Sequence, residues 1–289
     1  MSSVVQVDID GRIVIDGALE IGRAPTHGWA AGTIAERRVQ GWNPDDRLRR
    51  LVDEWRRTHV GDRSDPKLGI RAIRVTEARP IVEFAPTTWA DVQAVRDLPP
   101  ADSSRVPNDD GDSRSVFEFP LPNIASVHLV VETADSMVLI AQRSMQVAYH
   151  PGAWAASIEE GIEPKDADTG DAIVCAAHRG LAEELGIPLA TATLTILGII
   201  VEQPGCNPAI VIHARVPVSS CEGFRAADAD EPIGACQLVP CELPALASCV
   251  STSLRDGAVW HPTARYRLFR LMTFRFGLHD TLAALDRSK

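Results

Sequence analysis

The sequence predicts an α/β protein in which a mixed sheet lies between helices as an α/β/α sandwich, preceded by a smaller α+β region. Three observations predict it. After residue 115, apolar strand patterns and helical periodicities follow in the order strand, strand, strand, loop, helix, strands, helix, which suits a sheet covered by helices on both faces. The stretch LPPADSSRVPNDDGDSRS at 98–115 is rich in Pro, Asp and Ser and has almost nothing to bury, so it reads as a linker or long loop between a region 1–97 and a domain 116–289. The chain of 289 residues is 45% hydrophobic, enough for a sizeable core.

The elements follow in order. Residues 4–8 and 13–16 flank a turn at Gly11 and form a hairpin. Asn43 caps and Pro44 opens a helix whose Leu48, Leu51, Val52 and Trp55 share one face. Residues 70–75 and 81–84 are strand-like, and Thr87 or Thr88 caps a short helix running to Val95. This region carries no catalytic pattern, so its role is structural, with substrate choice or homodimer formation as further uses. Residues 126–132 and 137–141 form a second hairpin around Ala134-Asp135-Ser136, and 154–158 is a short strand. Residues 159–170 read as polar loop, and 171–185 have helical periodicity through Ile173, Ala176, Ala177, Leu181 and Leu185. Strands follow at 194–201, 209–216 and 235–239, then helices at 263–274 and near the C-terminus.

Charge narrows the function classes. The net charge of −10 gives nothing to counterion release and argues against nucleic-acid or anionic-membrane partners. Small anionic ligands remain compatible, because a bound metal or local basic groups can reverse the field in a cleft. The opening MSSVVQVDIDGR lacks a basic segment followed by an apolar core, and the apolar stretch 124–141 is broken by His128, Glu132 and Asp135, so the expectation is a cytoplasmic protein. Six cysteines, none in a C-x-x-C pair or at finger-like spacing from histidine, read as buried reduced thiols.

Chemistry concentrates at 161–187, GIEPKDADTGDAIVCAAHRGLAEELGI. On a helix, residue 180 shares a side with Glu183 and Glu184, and adjacent carboxylates facing one loop are what a hard divalent cation needs. The segment resembles the Nudix box, G-x5-E-x7-R-E-U-x-E-E-x-G-U with U aliphatic. Arg179, Leu181, Glu183, Glu184, Gly186 and Ile187 match its second half without a gap. Asp171 stands where the box has its first Glu, and Gly161 can serve as the opening Gly if the loop carries four extra residues. Upstream, SVHLVVETADSMVLIAQRS and PGAWAASIEEGIEP are similar to the family's hairpin and the strand leading into the box. Downstream, DEPIGACQLVP resembles the segment that often supplies a late glutamate, here Glu231. The resemblance covers roughly 117–271.

It implies a Nudix sandwich and a pyrophosphatase-type hydrolase, dependent on Mg2+ or Mn2+. The substrate would be a diphosphate bond in a nucleoside diphosphate linked to another moiety, as in a dinucleotide or nucleotide sugar. Glu183 and Glu184 would ligate the metal with Glu160 and the Gly161 backbone. Arg179 and Asp171 would brace the loop, and Glu231 or a loop glutamate would assist water activation. One departure matters: the box's R-E is Arg179-Gly180 here, so the first carboxylate of the metal triad is absent. Two readings stand. A carboxylate of Glu159, Glu160 or Glu163 fills the corner and the enzyme is active, or the module binds a nucleotide or nucleotide sugar without hydrolysing it.

Other basic groups are candidates for substrate. Arg265, with Arg267 and Arg270, could meet phosphates where the helix at Thr263 begins, or form a solvated basic face. Arg143, with Tyr149 and His150 nearby, could line the pocket. His128 and His213 lie in apolar strands and read as satisfied core histidines. No G-x-S-x-G, H-E-x-x-H, Walker loop or G-x-G-x-x-G is present.

Overall fold

The computed structural model describes residues 5–7, 13–58, 65–75, 79–96, 108–109, 116–147, 149–202, 207–222, 224, 235–252 and 258–288. In chain order the first elements are β1 (Val5–Val7), β2 (Ile13–Ile15), β3 (Ala18–Arg23), β4 (Trp29–Ala30), β5 (Ala35–Arg38), α1 (Asp46–Thr58), β6 (Pro66–Arg74), β7 (Ile81–Thr88), α2 (Trp89–Arg96), β8 (Asn108–Asp109) and β9 (Val116–Glu118). There follow β10 (Ser126–Glu132), β11 (Met137–Gln142), β12 (Trp154–Ala155), β13 (Ile158–Gly161), a 3-10 helix (Pro164–Thr169), α3 (Ala172–Leu185), β14 (Thr193–Glu202) and β15 (Asn207–Arg215). After a 3-10 turn (Ser220–Glu222), β16 (Cys236–Pro240), α4 (Leu243–Ser251), α5 (Ala264–Phe276) and α6 (Leu278–Arg287) complete the chain.

The principal sheet runs β1-β2-β3-β14-β15-β10-β11-β12, with β13 on β10, β16 on β11 and β4 on β14. It is mixed: β10 lies parallel to β15, while β14–β15 and β10–β13 are antiparallel. Because successive strand residues face opposite ways, each central strand feeds two cores. Val127, Leu129 and Val131 of β10 pack with Ile173, Ala177 and Leu181 of α3, whereas Val130 packs with Phe269 and Met272 of α5 and Leu246 of α4. Ile210 and Ile212 against Val211 repeat the division in β15. Helices therefore cover both faces, and the α/β/α arrangement follows from strand alternation.

The second sheet, β5-β7-β6-β9-β8, does not form a separate core. Its Ile70, Ile73, Phe84 and Phe117 join the cluster that holds α3. The chain's first strands join the principal sheet instead, because β3 pairs with β14. The expected division at 97 and 115 thus does not follow the sheets: β9, inside the expected C-terminal domain, pairs with β6, and Asn108–Asp109 of the expected linker pairs with β9.

Local corrections have local causes. The first helix starts at Asp46 rather than at Pro44, because the Asp45 carboxylate accepts from Leu48 N at 2.8 Å and takes the capping role assigned to Asn43. Residues 159–170, expected as loop, hold most of β13 and the 3-10 helix. The short strands β3, β4 and β5 and helix α4 had no sequence signal strong enough to be expected. Of the thiols, Cys241 is buried but Cys236 is exposed, and Cys206 lies outside the described residues. Among the described residues no helix is long and apolar enough to cross a membrane.

Candidate functional site

α3 is the element best explained by its own sequence. Its buried stripe is Ile173, Ala176, Ala177, Gly180, Leu181 and Leu185, at helical spacing. Asp171 caps it, accepting from Val174 N at 3.0 Å, and Gly186 closes it at φ 67, a left-handed conformation that glycine adopts without strain. A further cap comes from a distance: the Glu36 carboxylate of β5 accepts from Ala172 N at 2.8 Å and Ile173 N at 3.1 Å. Burial pushes the Glu36 carboxyl up to about 7, against the pull of those two amides and with the negative charge of Asp171 adding to the rise.

The helix delivers Glu183 and Glu184 to the wall of a cavity of about 440 Å³, a size suited to a small-molecule ligand. β13 runs along the same cavity and contributes Glu159, Glu160 and Gly161. Glu160 crosses toward α3 at Gly180. A Cβ on Gly180 would lie 2.9 Å from Glu160 Cβ and 3.5 Å from its Oε2. The space that a side chain at 180 would fill is therefore taken by a carboxylate from the neighbouring strand. Burial pushes the Glu160 carboxyl up to about 7, against Arg179 and with help from the like charge of Glu183.

Arg179 ties these parts together behind the cavity. Its guanidinium donates to Asp166 (Nη2 at 2.9 Å) and to the Gly161 carbonyl at 2.7 Å, and pairs with Glu160 at 2.7 Å and Glu183 at 3.5 Å. Five donors in a fixed fork suit an arginine to hold a loop, a strand and a helix in register. Glu163 turns to Lys67 at 2.7 Å and Lys165 at 2.9 Å, and despite partial burial these lysines hold its carboxyl down at about 2.

The other wall is built differently. Glu159 pairs with Arg143 and with the fully buried Arg267, and sits 3.2 Å from His261 Nδ1. Burial works against its charge, but Arg143, His261 and Arg267 outweigh it and hold the carboxyl well below the usual range. Thr263 Oγ1 links His128 Nδ1 and His261 Nδ1, each at 3.0 Å. Burial pushes His261 down to about 3, so its imidazole is neutral near physiological pH. Beyond it, Glu202 at the end of β14 meets His150 Nε2 at 2.7 Å and His261 Nε2 at 3.8 Å.

Of the residues expected from sequence, Glu183, Glu184, Glu160, Gly161 and Arg143 line this one cavity. Arg179 touches its carboxylates from behind. Asp171 caps the helix, and Asp166 is the acid that pairs with Arg179. Arg265 does not line the cavity; it turns to Asp16 at 3.4 Å and to the Thr252 carbonyl. Arg267 and Arg270 form no solvated face, because α5 is enclosed by the sheet, α4 and α6. Arg270 instead donates to the Leu197 and Ala24 carbonyls. His128 and His213 are satisfied in the core as expected, His213 by Glu132 at 2.8 Å, although His128 also borders the cavity. Glu231 lies outside the described residues.

Sequence reasoning missed Glu202 and His261, and it missed Lys67 and Trp89 of the N-terminal region, all of which line the cavity. The buried His and Glu positions were the signal available, but their separations of tens of residues carry no period.

No family model matches the chain, and no curated protein does either. Among solved structures it is similar to an ADP compounds hydrolase, at 16% identity and a TM-score of 0.39 over 73% of this chain and 97% of that one. It is also similar to a MutT NUDIX hydrolase from Burkholderia pseudomallei, at 19% identity and a TM-score of 0.34 over 52% and 98% of the two chains. A NUDIX hydrolase from Alicyclobacillus acidocaldarius is similar at 16% identity and a TM-score of 0.38 over 52% and 91%. Likenesses of this size say nothing about chemistry, which rests on the cavity itself.

Proposed function

We propose that the chain is a Nudix-type pyrophosphohydrolase that uses Mg2+ or Mn2+ to cleave a diphosphate bond in a nucleoside diphosphate linked to another moiety. The observation that carries this reading is Glu160 lying over Gly180: a third carboxylate joins Glu183 and Glu184 on the wall where the box lacks one. Carboxylate oxygens are the donors a hard divalent ion takes, and a buried carboxyl pushed up to about 7 beside the like charge of Glu183 is what such an ion relieves. The three carboxylates line one cavity but are not gathered within 4.8 Å, so binding would draw them together. Glu183, Glu184 and Glu160 would hold the ion. The Gly161 carbonyl would complete the set with its second lone pair, the first accepting from Arg179.

When bound, the ion would supply positive charge to phosphate oxygens and make water more acidic. The chain's own residues do the rest. Arg179 fixes Glu160 and Glu183 against each other. Lys67 and Arg143 bring positive charge to the cavity for an anionic ligand, and Trp89 offers an aromatic face for a base.

A second reading, binding without hydrolysis, has one observation in its favour. Arg179 already neutralises part of the acidic group, at 2.7 Å from Glu160, so the cluster can stand without a cation. The test is a screen of dinucleotides, nucleotide sugars and nucleoside triphosphates with Mg2+ or Mn2+. We expect divalent-dependent turnover that drops at least about a hundredfold in Glu184→Gln with the fold intact. Ligand binding that needs no divalent ion, with no turnover on any substrate, would establish the second reading.

A further inference from the structure

We propose that His150, Glu202 and His261 form a second metal site, for zinc, on the wall of the cavity opposite the carboxylates. It uses no residue of the Glu160, Glu183 and Glu184 group and stands or falls apart from the hydrolysis reading.

Each of the three residues offers one ligand atom, and these atoms all lie within 4.8 Å of one another. Bonds of about 2.0–2.1 Å around a tetrahedral zinc place ligand atoms roughly 3.3 Å apart. The contacts to Glu202, 2.7 Å from His150 Nε2 and 3.8 Å from His261 Nε2, bracket that spacing. Small side-chain adjustments would bring all three onto one ion. Two imidazole nitrogens and a carboxylate are a donor set that zinc takes while keeping a fourth position open. Here that position would face the cavity, since all but His150 line it directly and His150 is partly exposed.

The surroundings add an independent argument. Glu202 is 9% exposed at its side chain, and among the described residues its ion-pair partners are these two imidazoles. A carboxylate withdrawn from water between two imidazoles is a place where a cation shared by the three groups would offset the cost of burial. His261 also has the outer partner that a ligating histidine needs. Its Nδ1 sits 3.2 Å from Glu159 and 3.3 Å from the Thr263 N, so an ion at Nε2 would select the tautomer whose Nδ1 proton turns to Glu159. Glu159 is in turn held by Arg267 and Arg143. The ligands come from rigid supports: Glu202 pairs with Asn207 across β14 and β15, and His261 N donates to the Trp154 carbonyl at 2.8 Å. The donors are softer than those on the α3 wall, so two different ions would sort themselves by chemistry.

The experiment strips the full-length protein with a chelator, then titrates it with Co2+ as a spectroscopic stand-in and with Zn2+ in competition. Visible d–d bands and metal content after dialysis are read at neutral pH. The expected result is one equivalent of cobalt giving the intense bands of a low-coordinate, nitrogen-containing site, displaced by zinc, with any further cobalt on the carboxylate wall giving only weak bands. His150→Gln and Glu202→Gln should weaken this binding at least about tenfold, while Glu184→Gln leaves it unchanged. His150 is the safer variant, because its side chain is 31% exposed whereas His261 is 1% exposed; circular dichroism and melting verify that each variant is folded. Absence of the bands in the wild type would overturn the proposal and leave the three groups as a hydrogen-bonded array. Zinc lost in Glu184→Gln but kept in His150→Gln would place the ion on the α3 wall and overturn it equally.

Discussion

Glu159 and Glu160 are consecutive residues of one strand, and they end in opposite electrostatic states. Glu159 faces α5 and is held well below the usual carboxylate range by Arg143, His261 and Arg267, whereas Glu160 faces α3 and is pushed up to about 7. Both are withdrawn from water, so burial alone does not set the sign. What differs is the neighbouring charge. Arg143 and the buried Arg267 both point at Glu159, while Glu160 shares one arginine with Asp166, Glu163 and Glu183. One wall is compensated from within the protein, and the other is left with excess negative charge. The comparison teaches that the number of opposing arginines, rather than the number of carboxylates, decides which wall stays negative.

The largest effect expected from breaking this contrast is at Arg267. Replacing it with Met keeps the bulk but leaves Glu159 charged and short of its buried partner, which should cost about 3–5 kcal/mol of folding free energy. Urea denaturation checks this, and a loss under about 1 kcal/mol would mean that Arg143 alone compensates Glu159. At Gly180 two effects oppose each other. Helix propensity alone would make Gly180→Ala stabilising by up to about 1 kcal/mol. The new Cβ, however, would meet Glu160 Cβ at 2.9 Å, and such overpacking costs about 1–3 kcal/mol. A net loss of about 1 kcal/mol is expected, with weaker Mn2+ binding as Glu160 is displaced. Stabilisation by the substitution would show that Glu160 does not occupy that space.

The smallest effect concerns Glu36, the other raised carboxylate on the α3 side. Its pKa rises from 4.5 in the unfolded chain to about 7 in the fold, so the folded state holds a proton that the unfolded state has released. The associated stability is fully present below about pH 4.5 and is lost as pH rises through about 7. After discounting for partial exposure the loss is on the order of 1 kcal/mol. Melting curves from pH 5 to pH 8 should therefore slope downward more in the wild type than in Glu36→Gln, measured after chelation. Identical slopes would remove Glu36 from the α3 group.

Much of α3 was legible in the sequence. Its apolar period, Asp171 at the start and Gly186 at the end are local features, and local backbone physics uses them in the same way in any setting. Apolar runs of strand length similarly gave β10, β14 and β15 and the sandwich they form. The tertiary structure decided what the side chains became. Arg267 and Arg270 look like a solvated basic face along the chain, yet α4, α6 and the sheet close around α5 and turn them inward. Glu36 reaches α3 from 136 residues away, and His150, Glu202 and His261 converge from two loops and a strand end. Sequence spacing encodes the period of one element and the caps at its ends. Which distant residues share a cavity depends on strand order and sheet pairing, and those are settled only when the hydrophobic faces of all the elements are buried together.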